Sequence, residues 1–243
     1  KKYPTQKKLS EATEDQILAL WSGLGFYRRA RNIFKTKEII KEKYNNRFPK
    51  KFHQLLELPG IGKSTAGAIM SLAYQNPHPI LDGNVKRVIT RLVNKNIDLL
   101  KESQLWDLSS QFVNKENCFA YTQGIMDLGA TVCTPTNPSC KDCPVQNQCM
   151  SAFNIINNKK RNVAQLKKVI PMNLSLIQTE DSLLLVKNEA SSIWKNLWIP
   201  FESRSLESYT NSFKLTSSQK IQHELTHRRL NIKLKKLVKH KEY

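Results

Sequence analysis

The sequence predicts a mainly α-helical domain over residues 1–153 and a small α+β domain over residues 169–243, joined by a linker at 154–168. Two features of the chain support this division. Apolar residues recur at helical spacing until about residue 131, and beyond residue 168 they alternate with polar residues as they do in strands. The basic, polar stretch between the two regions is typical of a linker.

The composition favours a polyanionic partner. The chain has 243 residues, with 39 lysines and arginines against 20 acidic residues, which gives a net charge of +19. Such an excess favours DNA or RNA as the partner. No apolar run is long enough to cross a bilayer, and no secretory signal is visible at the N-terminus. Because the chain starts with Lys1 and not with methionine, we expect that it begins inside a longer product.

The first helices are indicated by capping residues and glycines. Thr13 and Gln16 fit a capping box at the start of an apolar-faced helix, which a pair of glycines ends. Further helices are predicted over 28–45 and 51–57. The aromatic and arginine residues at 26–29 suit contact with bases and phosphates, although a capped helix with core aromatics explains them equally well.

A hairpin between two helices is predicted at residues 58–67. Pro59 ends the preceding helix, and Gly60 and Gly62 permit the positive φ angles of a tight turn. Ser64 then opens a helix that continues to Tyr74. Such a turn directs free backbone N–H groups at a position where a phosphate can bind, although an ordinary interhelical turn has the same sequence.

Asp82 stands at the start of a strongly amphipathic helix. Apolar residues recur at i, i+3, i+4, i+7 and i+8 from Val85, which leaves Lys86, Arg87 and Arg91 on other faces. A carboxylate beside a phosphate-binding turn and a basic helix is a candidate catalytic group of a nucleic-acid site. The alternative is that Asp82 is only a helix N-cap. Two more helices are predicted, at about 102–115 and 118–131.

Four cysteines follow the last helix. Cys133, Cys140, Cys143 and Cys149 are separated by six, two and five residues, and prolines shape the intervening loops. In a basic chain without a secretory signal this group argues against disulfides and for a metal centre. Four thiolates bind either zinc or an iron–sulfur cluster, and the single Cys-x2-Cys pair is not the spacing of a zinc ribbon. Cys118 is predicted to be a buried core thiol.

The C-terminal region shows strand periodicity. Met172 to Leu185 alternates around a turn at 179–181 and predicts a hairpin, and Leu230 to Leu234 predicts another strand. Trp194, Trp198, Ile199 and Phe201 are the predicted core of this domain.

Several of these motifs together resemble the adenine DNA glycosylases of the MutY type, in the helix-hairpin-helix endonuclease III superfamily. The motifs are Leu58–Gly67, Ile80–Arg87, Met126–Ala130 and the four-cysteine loop, and the resemblance runs from about Pro4 to Phe153. More weakly, Leu183–Val186 and Leu197–Phe201 resemble the family's Nudix-like recognition domain. The chain contains no Nudix box, so hydrolysis of nucleotide pyrophosphates is not expected.

The resemblance implies an activity, a cofactor and a set of residues. The family removes adenine mispaired with 8-oxoguanine or guanine in double-stranded DNA, and Asp82 matches its catalytic aspartate. Ser64 stands where relatives with lyase activity have a lysine, which implies base removal without strand cleavage. The implied ligands of a [4Fe-4S] cluster are Cys133, Cys140, Cys143 and Cys149. The residues expected to contact DNA are Phe26, Tyr27, Arg28, Gly60, Gly62, Lys63, Ser64, Asn84, Lys86, Thr226 and His227.

The chain departs from the family's pattern in three places. Phe26 replaces the tyrosine that is common there, and Leu225-Thr226-His227 aligns with the Phe-Ser-His loop that reads the lesion. The family's general acid is a glutamate on a helix before the segment that matches Pro4, and none of Glu11, Glu14 or Glu38 fits that motif. Because adenine leaves poorly unless it is protonated, we expect this chain to excise it very weakly. We also expect marginal stability, because the missing helices would leave core surface uncovered.

Two other functions remain as alternatives. A truncated relative without the acid would be a non-enzymatic binder of lesion DNA, and an endonuclease III-like glycosylase and lyase would cleave the strand. The resemblance further implies a monomeric protein in the cytoplasm of a bacterium, associated with the nucleoid.

Overall fold

The computed structural model describes residues 2–154, 167–179, 181–189, 193–204 and 213–239. The chain divides into two compact units, residues 1–160 and residues 161–243. Within the described ranges, no helix is both long enough and apolar enough to cross a membrane.

The first unit is helical. Its α-helices are α1 (Gln6–Ser10), α2 (Glu14–Leu20), α3 (Tyr27–Tyr44), α4 (Phe52–Leu56), α5 (Lys63–Tyr74), α6 (Gly83–Leu92), α7 (Glu102–Phe112) and α8 (Cys118–Asp127). Short 3-10 turns lie at Ile97–Leu99, Cys140–Asp142 and Gln146–Gln148, and a π-helix at Leu128–Val132 continues α8.

Two hydrophobic clusters hold this unit together. One is formed by α6, α7 and α8, with Val85, Val88 and Ile89 of α6 at its centre, each no more than 2% exposed. The other joins α3, α4 and α5 through Ile40, Leu55 and Met70. The apolar spacing from Val85 therefore predicted the buried face of α6 correctly.

Most predicted helices are confirmed with small shifts of their ends. Thr13 and Gln16 form the capping box of α2, with Gln16 N–H donating to the Thr13 hydroxyl at 3.2 Å. The helix predicted over 28–45 is α3, and the one over 51–57 is α4. Sequence reasoning missed α1, a five-residue helix that the Thr5 hydroxyl caps.

One detail of the predicted hairpin is wrong. Gly60 has the positive φ that was expected, at +83°, but Gly62 has a φ of −87°. Gly62 is the N-cap of α5, and an N-cap takes an extended conformation that any residue can adopt. Only the first glycine is therefore required by the conformation of the turn.

The last predicted helix of this unit changes its winding near its end. The pattern over 118–131 predicted one continuous helix, whereas α8 ends at Asp127 and a π-helix takes over from Leu128 to Val132. Gly129 in this segment lies against α6, since a Cβ atom added there would come within 2.7 Å of the Asn84 Cβ. The wider winding lets the backbone approach α6 closely just before the first cysteine.

The described elements of the second unit are the strands of an α+β region. They are β1 (Lys168–Gln178), β2 (Leu183–Leu184), β3 (Val186–Lys187), β4 (Trp198–Ile199), β5 (Phe201–Glu202), β6 (Phe213–Glu224) and β7 (Arg228–Lys239). The main sheet has the order β2-β1-β7-β6, with β5 also paired to β1, and β3 pairs with β4. β1 and β7 run parallel, with Leu174 opposite Leu234.

Both strand predictions for this unit are confirmed. β1 and β2 form the predicted hairpin, in which Ile177 pairs with Leu184, and β7 contains the predicted Leu230–Leu234 segment. The predicted core is partly wrong, because Trp198 is 57% exposed. The buried centre is instead Leu174, Leu230 and Ile232, against which Trp194 packs. Strand periodicity identifies the two faces, but it does not tell which short edge strand is covered.

Candidate DNA-binding and catalytic site

The hairpin between α4 and α5 presents backbone donors at its tip. Gly60 approaches α3 so closely that an added Cβ would fall on the amide of Asn32. No side chain caps the N-terminus of α5, which starts directly after Gly62. The first N–H groups of α5 have no partner within the helix, so this end is suited to a phosphate oxygen.

Ser64 joins the hairpin helix to the segment that leads to Asp82. Its hydroxyl oxygen accepts a hydrogen bond from the Leu81 N–H at 2.9 Å. Ile80 and Leu81 are buried beside it, and the Ile80 carbonyl accepts from the Ser109 hydroxyl at 2.7 Å. The backbone on the N-terminal side of Asp82 is thus held from both α5 and α7.

Asp82 is the N-cap of α6 and is exposed to solvent. Its Oδ1 accepts from the Val85 N–H at 2.8 Å, while Oδ2 has no hydrogen-bond partner among the described residues. The alternative considered from the sequence, that Asp82 caps the helix, is therefore part of the structure. Capping does not exclude catalysis, because it engages one carboxylate oxygen of this exposed residue and leaves the other without a hydrogen-bond partner in the described part of the chain.

The predicted cations beside this carboxylate have defined partners. The Lys63 ammonium lies 4.1 Å from the centre of the Trp106 ring, and Lys86 forms an ion pair with Glu102 at 3.0 Å. Asn84 accepts from Arg87 through its side-chain oxygen at 2.8 Å. Sequence reasoning missed Trp106 and Glu102, because both lie on α7 and only the tertiary fold brings them to α5 and α6.

The aromatic segment before α3 is held in an unusual conformation. Phe26 is the N-cap of α3 with a φ of +46°, and its side chain is 74% exposed. The Trp21 indole donates to the Gly25 carbonyl at 2.8 Å and fixes the preceding loop. An exposed phenylalanine with positive φ is costly, and such residues cluster at binding sites. Arg28 also reaches a cavity of about 470 Å³ between α1, α3 and the hairpin.

Thr226 and His227 form the tip of the β6–β7 hairpin in the second unit. The Leu225 N–H donates to the Arg228 carbonyl at 2.8 Å and closes a two-residue loop in which both side chains are exposed. Ion pairs of Glu224 with Lys167 and Arg229 support the base of this hairpin. The two residues are thus presented together.

The four predicted metal ligands line a common cavity of about 30 Å³. Within the described part of the chain, no three cysteine, histidine or acidic side chains converge closely enough to hold a single metal ion. The four cysteines and Arg91 line this one cavity, as a shared metal centre requires. Four thiolates can hold either zinc or an iron–sulfur cluster.

Two arginines of α6 connect the helix of Asp82 to the cysteine loop. Arg87 donates through Nε to the Cys133 carbonyl at 2.8 Å and through Nη2 to the Gly129 carbonyl at 2.7 Å. Arg91 donates to the carbonyls of Thr134 and Pro135 at 2.8 and 2.9 Å. The i, i+4 spacing of the arginines was visible in the sequence, but their partners more than 40 residues away were not.

Burial shifts the pKa of two of these groups. It raises the pKa of the Cys149 thiol, and Cys133, Cys143 and Cys140 act in the same direction, while the backbone N–H of Ser151 opposes them. Burial also lowers the pKa of Arg87, against the effect of Cys133. Metal binding would overcome the first shift, because a coordinated cysteine is deprotonated outright.

The first unit is similar to a known class of DNA repair protein. Residues 1–106 match the profile described as HhH-GPD superfamily base excision DNA repair protein. The hairpin between α4 and α5 and Asp82 both lie within the matched residues.

Within this class the chain is similar to adenine DNA glycosylases. It is 40% identical over 205 residues to the adenine DNA glycosylase of Buchnera aphidicola subsp. Acyrthosiphon pisum, which covers 81% of this chain and 57% of the relative. It is 38% identical over 152 residues to the adenine DNA glycosylase of Homo sapiens, covering 61% and 28% of the two chains. The chain thus spans less than two thirds of the length of these relatives.

Solved structures agree with this fold. A thermostable thymine-DNA glycosylase superimposes with a TM-score of 0.57 at 27% identity, over 63% of this chain and 72% of that one. A non-covalent endonuclease III–DNA complex gives a TM-score of 0.54 at 26% identity, over 63% and 71%.

Proposed function

We propose that this chain acts in base excision repair as an adenine DNA glycosylase that hydrolyses the N-glycosidic bond of adenine mispaired with 8-oxoguanine or guanine. The observation that carries the proposal is the position of Asp82. Its exposed carboxylate stands at the N-terminus of α6 with one oxygen engaged by the Val85 N–H, and the Ser64 hydroxyl holds the preceding residue, Leu81, to the helix that follows the hairpin.

Asp82 would stabilise the charge that develops on the sugar. As the bond to adenine breaks, the deoxyribose acquires oxocarbenium character, and a nearby carboxylate stabilises that positive charge only near the transition state. Water then adds to the anomeric carbon of the sugar. The leaving adenine takes up one proton and the attacking water gives up one, so the products are free adenine and an abasic site.

Backbone N–H groups and lysines would hold the DNA while the base leaves the duplex. The start of α5 can bind one phosphate, with Lys63 and Lys86 beside it. Flipping adenine costs a few kcal/mol and costs least at a mispair. Phe26 and Tyr27 would fill or widen the gap in the stack, and Arg28 would hold a phosphate there.

The residue at position 64 supports hydrolysis without strand cleavage. A hydroxyl cannot form the Schiff base on which lyase chemistry depends. The neighbouring Lys63 does not occupy this position, and its ammonium lies 4.1 Å from the centre of the Trp106 ring.

We further propose a cofactor and a role for the second unit. Cys133, Cys140, Cys143 and Cys149 would hold a [4Fe-4S] cluster, which when bound would fix the loop and place positive side chains toward DNA. The second unit would act as a Nudix-like lesion reader, in which Thr226 donates to the oxidised base and His227 packs beside it. We propose that the chain binds duplex DNA as a monomer.

The test is a single-turnover assay of this chain on duplexes with A:8-oxoguanine and A:T pairs. Adenine release is expected only from the mispair, and slow release is expected if the acid lies outside the chain. Asp82→Asn keeps the N-cap and should reduce release by about 100-fold or more, whereas exposed Asp107→Asn on α7 should not. The strand should stay intact until alkali is added.

Three outcomes would contradict the proposal. Equal release by Asp82→Asn and the unchanged chain would remove the catalytic role of this residue. Strand cleavage without alkali would favour the glycosylase and lyase alternative. Selective binding of the A:8-oxoguanine duplex without any adenine release would favour a non-enzymatic binder.

A further inference from the structure

Arg91, in the last turn of α6, contacts both the first and the last cysteine of the group. Its Nη1 lies 3.4 Å from the Cys133 sulfur, and its own carbonyl oxygen lies 3.6 Å from the Cys149 sulfur. The side chain lines the same cavity as the four cysteines. Among the residues that the structure describes, Arg91 thus joins the two ends of the cysteine loop through one position.

We propose that Arg91 is a positioning residue that holds Cys133 as a ligand and stabilises its thiolate in the loaded protein. This inference depends on the iron–sulfur cluster of the proposed function. The positive guanidinium donates a charge-assisted hydrogen bond to sulfur, and such bonds are stronger than neutral ones. Hydrogen bonds to the sulfurs and the net charge nearby both set the reduction potential of a cluster.

The geometry requires arginine and not simply a positive charge. Nη1 donates to the Thr134 carbonyl and to sulfur, and Nη2 donates to the Pro135 carbonyl. These three acceptors follow one another along the chain from Cys133, so a planar group with several donors fixes the first ligand and the start of the loop. A lysine ammonium keeps the charge but cannot span both carbonyls and the sulfur.

Arg87 does not share this role. Its donors reach the carbonyls of Cys133, Gly129 and Gly83 and the side chain of Asn84, and none of its hydrogen bonds reaches a sulfur. The contact of Arg91 with Cys149 is different again, because it is made by the backbone carbonyl of Arg91 and not by its side chain.

The experiment compares three variants of the full chain, purified without oxygen. Arg91→Gln removes the charge and one donor group, and Arg91→Lys keeps the charge. Lys95→Gln is the matched control, because it removes the same charge from an exposed position four residues further along. Iron and sulfide content, the visible spectrum, the rate of iron loss to a chelator and the reduction potential are measured for each.

Loaded Arg91→Gln should lose iron about tenfold faster than the unchanged chain, the lower end of what loss of such a partner costs. Its equilibrium constant for one-electron reduction should fall by about tenfold, or ~59 mV. Arg91→Lys should have a rate of iron loss and a reduction potential between those of Arg91→Gln and the unchanged chain. Lys95→Gln should match the unchanged chain in both quantities. A change in potential in folded, loaded protein is an effect that a purely structural role would not produce.

Each contrary result is informative. Unchanged iron loss and potential in loaded Arg91→Gln would overturn the role of Arg91 and leave the cluster in place. An unchanged chain that carries zinc or no iron would overturn the cluster and this role together. If Arg91→Gln does not fold, Arg91→Lys decides, because equality with the unchanged chain would contradict the need for arginine geometry.

Discussion

Gly60 is the single residue on which the hairpin conformation depends. Its φ of +83° is strained for any other residue, and a methyl group there would meet the Asn32 amide. We expect Gly60→Ala to lower the free energy of unfolding by about 1–2 kcal/mol, because strain and displacement of Asn32 add. Chemical denaturation monitored by circular dichroism measures this change.

Gly62→Ala is the matched control in the same turn. Gly62 has an ordinary φ, and a methyl group there meets nothing within 4 Å. Its free energy of unfolding should therefore stay within about 0.5 kcal/mol of the unchanged chain. An equal loss in both variants would show that the hairpin tolerates no side chain for another reason.

Tyr121 has a buried hydroxyl without a hydrogen-bond partner among the described residues. Such a group costs about 1–3 kcal/mol when it is fully buried, so Tyr121→Phe should raise the melting temperature. Tyr74 provides the contrast, because its hydroxyl donates to the Pro49 carbonyl at 3.2 Å. Tyr74→Phe should therefore lower the melting temperature, and equal shifts in both variants would contradict the interpretation.

The buried Tyr121 side chain also makes the stability of the protein depend on pH. Burial raises the pKa of Tyr121 to about 12, above the value near 10 of an unfolded tyrosine. Because the pKa is higher in the folded protein, folding favours the neutral form of Tyr121. The free energy of unfolding is therefore not reduced by ionisation of Tyr121 below pH 10, and it falls as the pH rises toward 12. The advantage of Tyr121→Phe in melting temperature should grow over that range.

At the scale of the element, the π-helix packs closely against the start of α6 at Gly129. A methyl group there would lie 2.7 Å from the Asn84 Cβ and 3.3 Å from the Asn84 carbonyl carbon. Because these atoms belong to the first turn of α6, Gly129→Ala should displace the helix start next to Asp82. We expect a loss of about 1–3 kcal/mol in the free energy of unfolding and slower adenine release.

Gly124→Ala in α8 is the control for this substitution. Its methyl group meets nothing within 4 Å, and alanine favours a helix over glycine by about 1 kcal/mol. It should therefore stabilise the protein and leave adenine release unchanged. Equal effects of the two substitutions would contradict the contact between the π-helix and α6.

Local pattern predicted the elements better than it predicted their partners. The spacing from Val85 gave both the extent and the buried face of α6, and Thr13 and Gln16 gave the start of α2. The π-helix was not predictable, because its residues continue the apolar period of α8 and only the close approach to Asn84 explains the change. The partners of Arg87, Arg91 and Lys63 depend on the tertiary fold, which no local pattern contains.

At the scale of the whole molecule, the net charge of +19 predicts binding that weakens steeply with salt. Lys86 would exchange Glu102 for a phosphate, so Lys86→Gln should reduce the slope of log K against log salt by about 0.9. Fluorescence anisotropy with a duplex of fixed length measures this slope.

Lys43→Gln is the control for charge alone. Lys43 is held by Glu57 in an ion pair, which raises the pKa of Lys43 and lowers that of Glu57. Replacing Lys43 by glutamine should therefore leave the slope of log K against log salt unchanged. A similar reduction in both variants would mean that overall charge, and not contact at α6, determines binding.

The spacing of the cysteines predicts a metal centre, and the structure brings all four to one cavity. Spacing alone does not choose between zinc and an iron–sulfur cluster, because four thiolates bind either. In the second unit the strands were predictable, but the prediction that Trp198 lies in the core is wrong, because its side chain is 57% exposed. A two-residue strand carries too little periodicity to say which of its faces is covered.

The hydrogen bond from the Leu81 amide to Ser64 also bears on how a strand-cleaving enzyme could arise from this scaffold. A lysine at position 64 would bring the amine that forms an imine with the sugar, but it would remove the oxygen that accepts from Leu81. The acquired nucleophile would thus loosen the backbone next to the carboxylate that it needs. A productive conversion would require a second change that restores an acceptor for this amide.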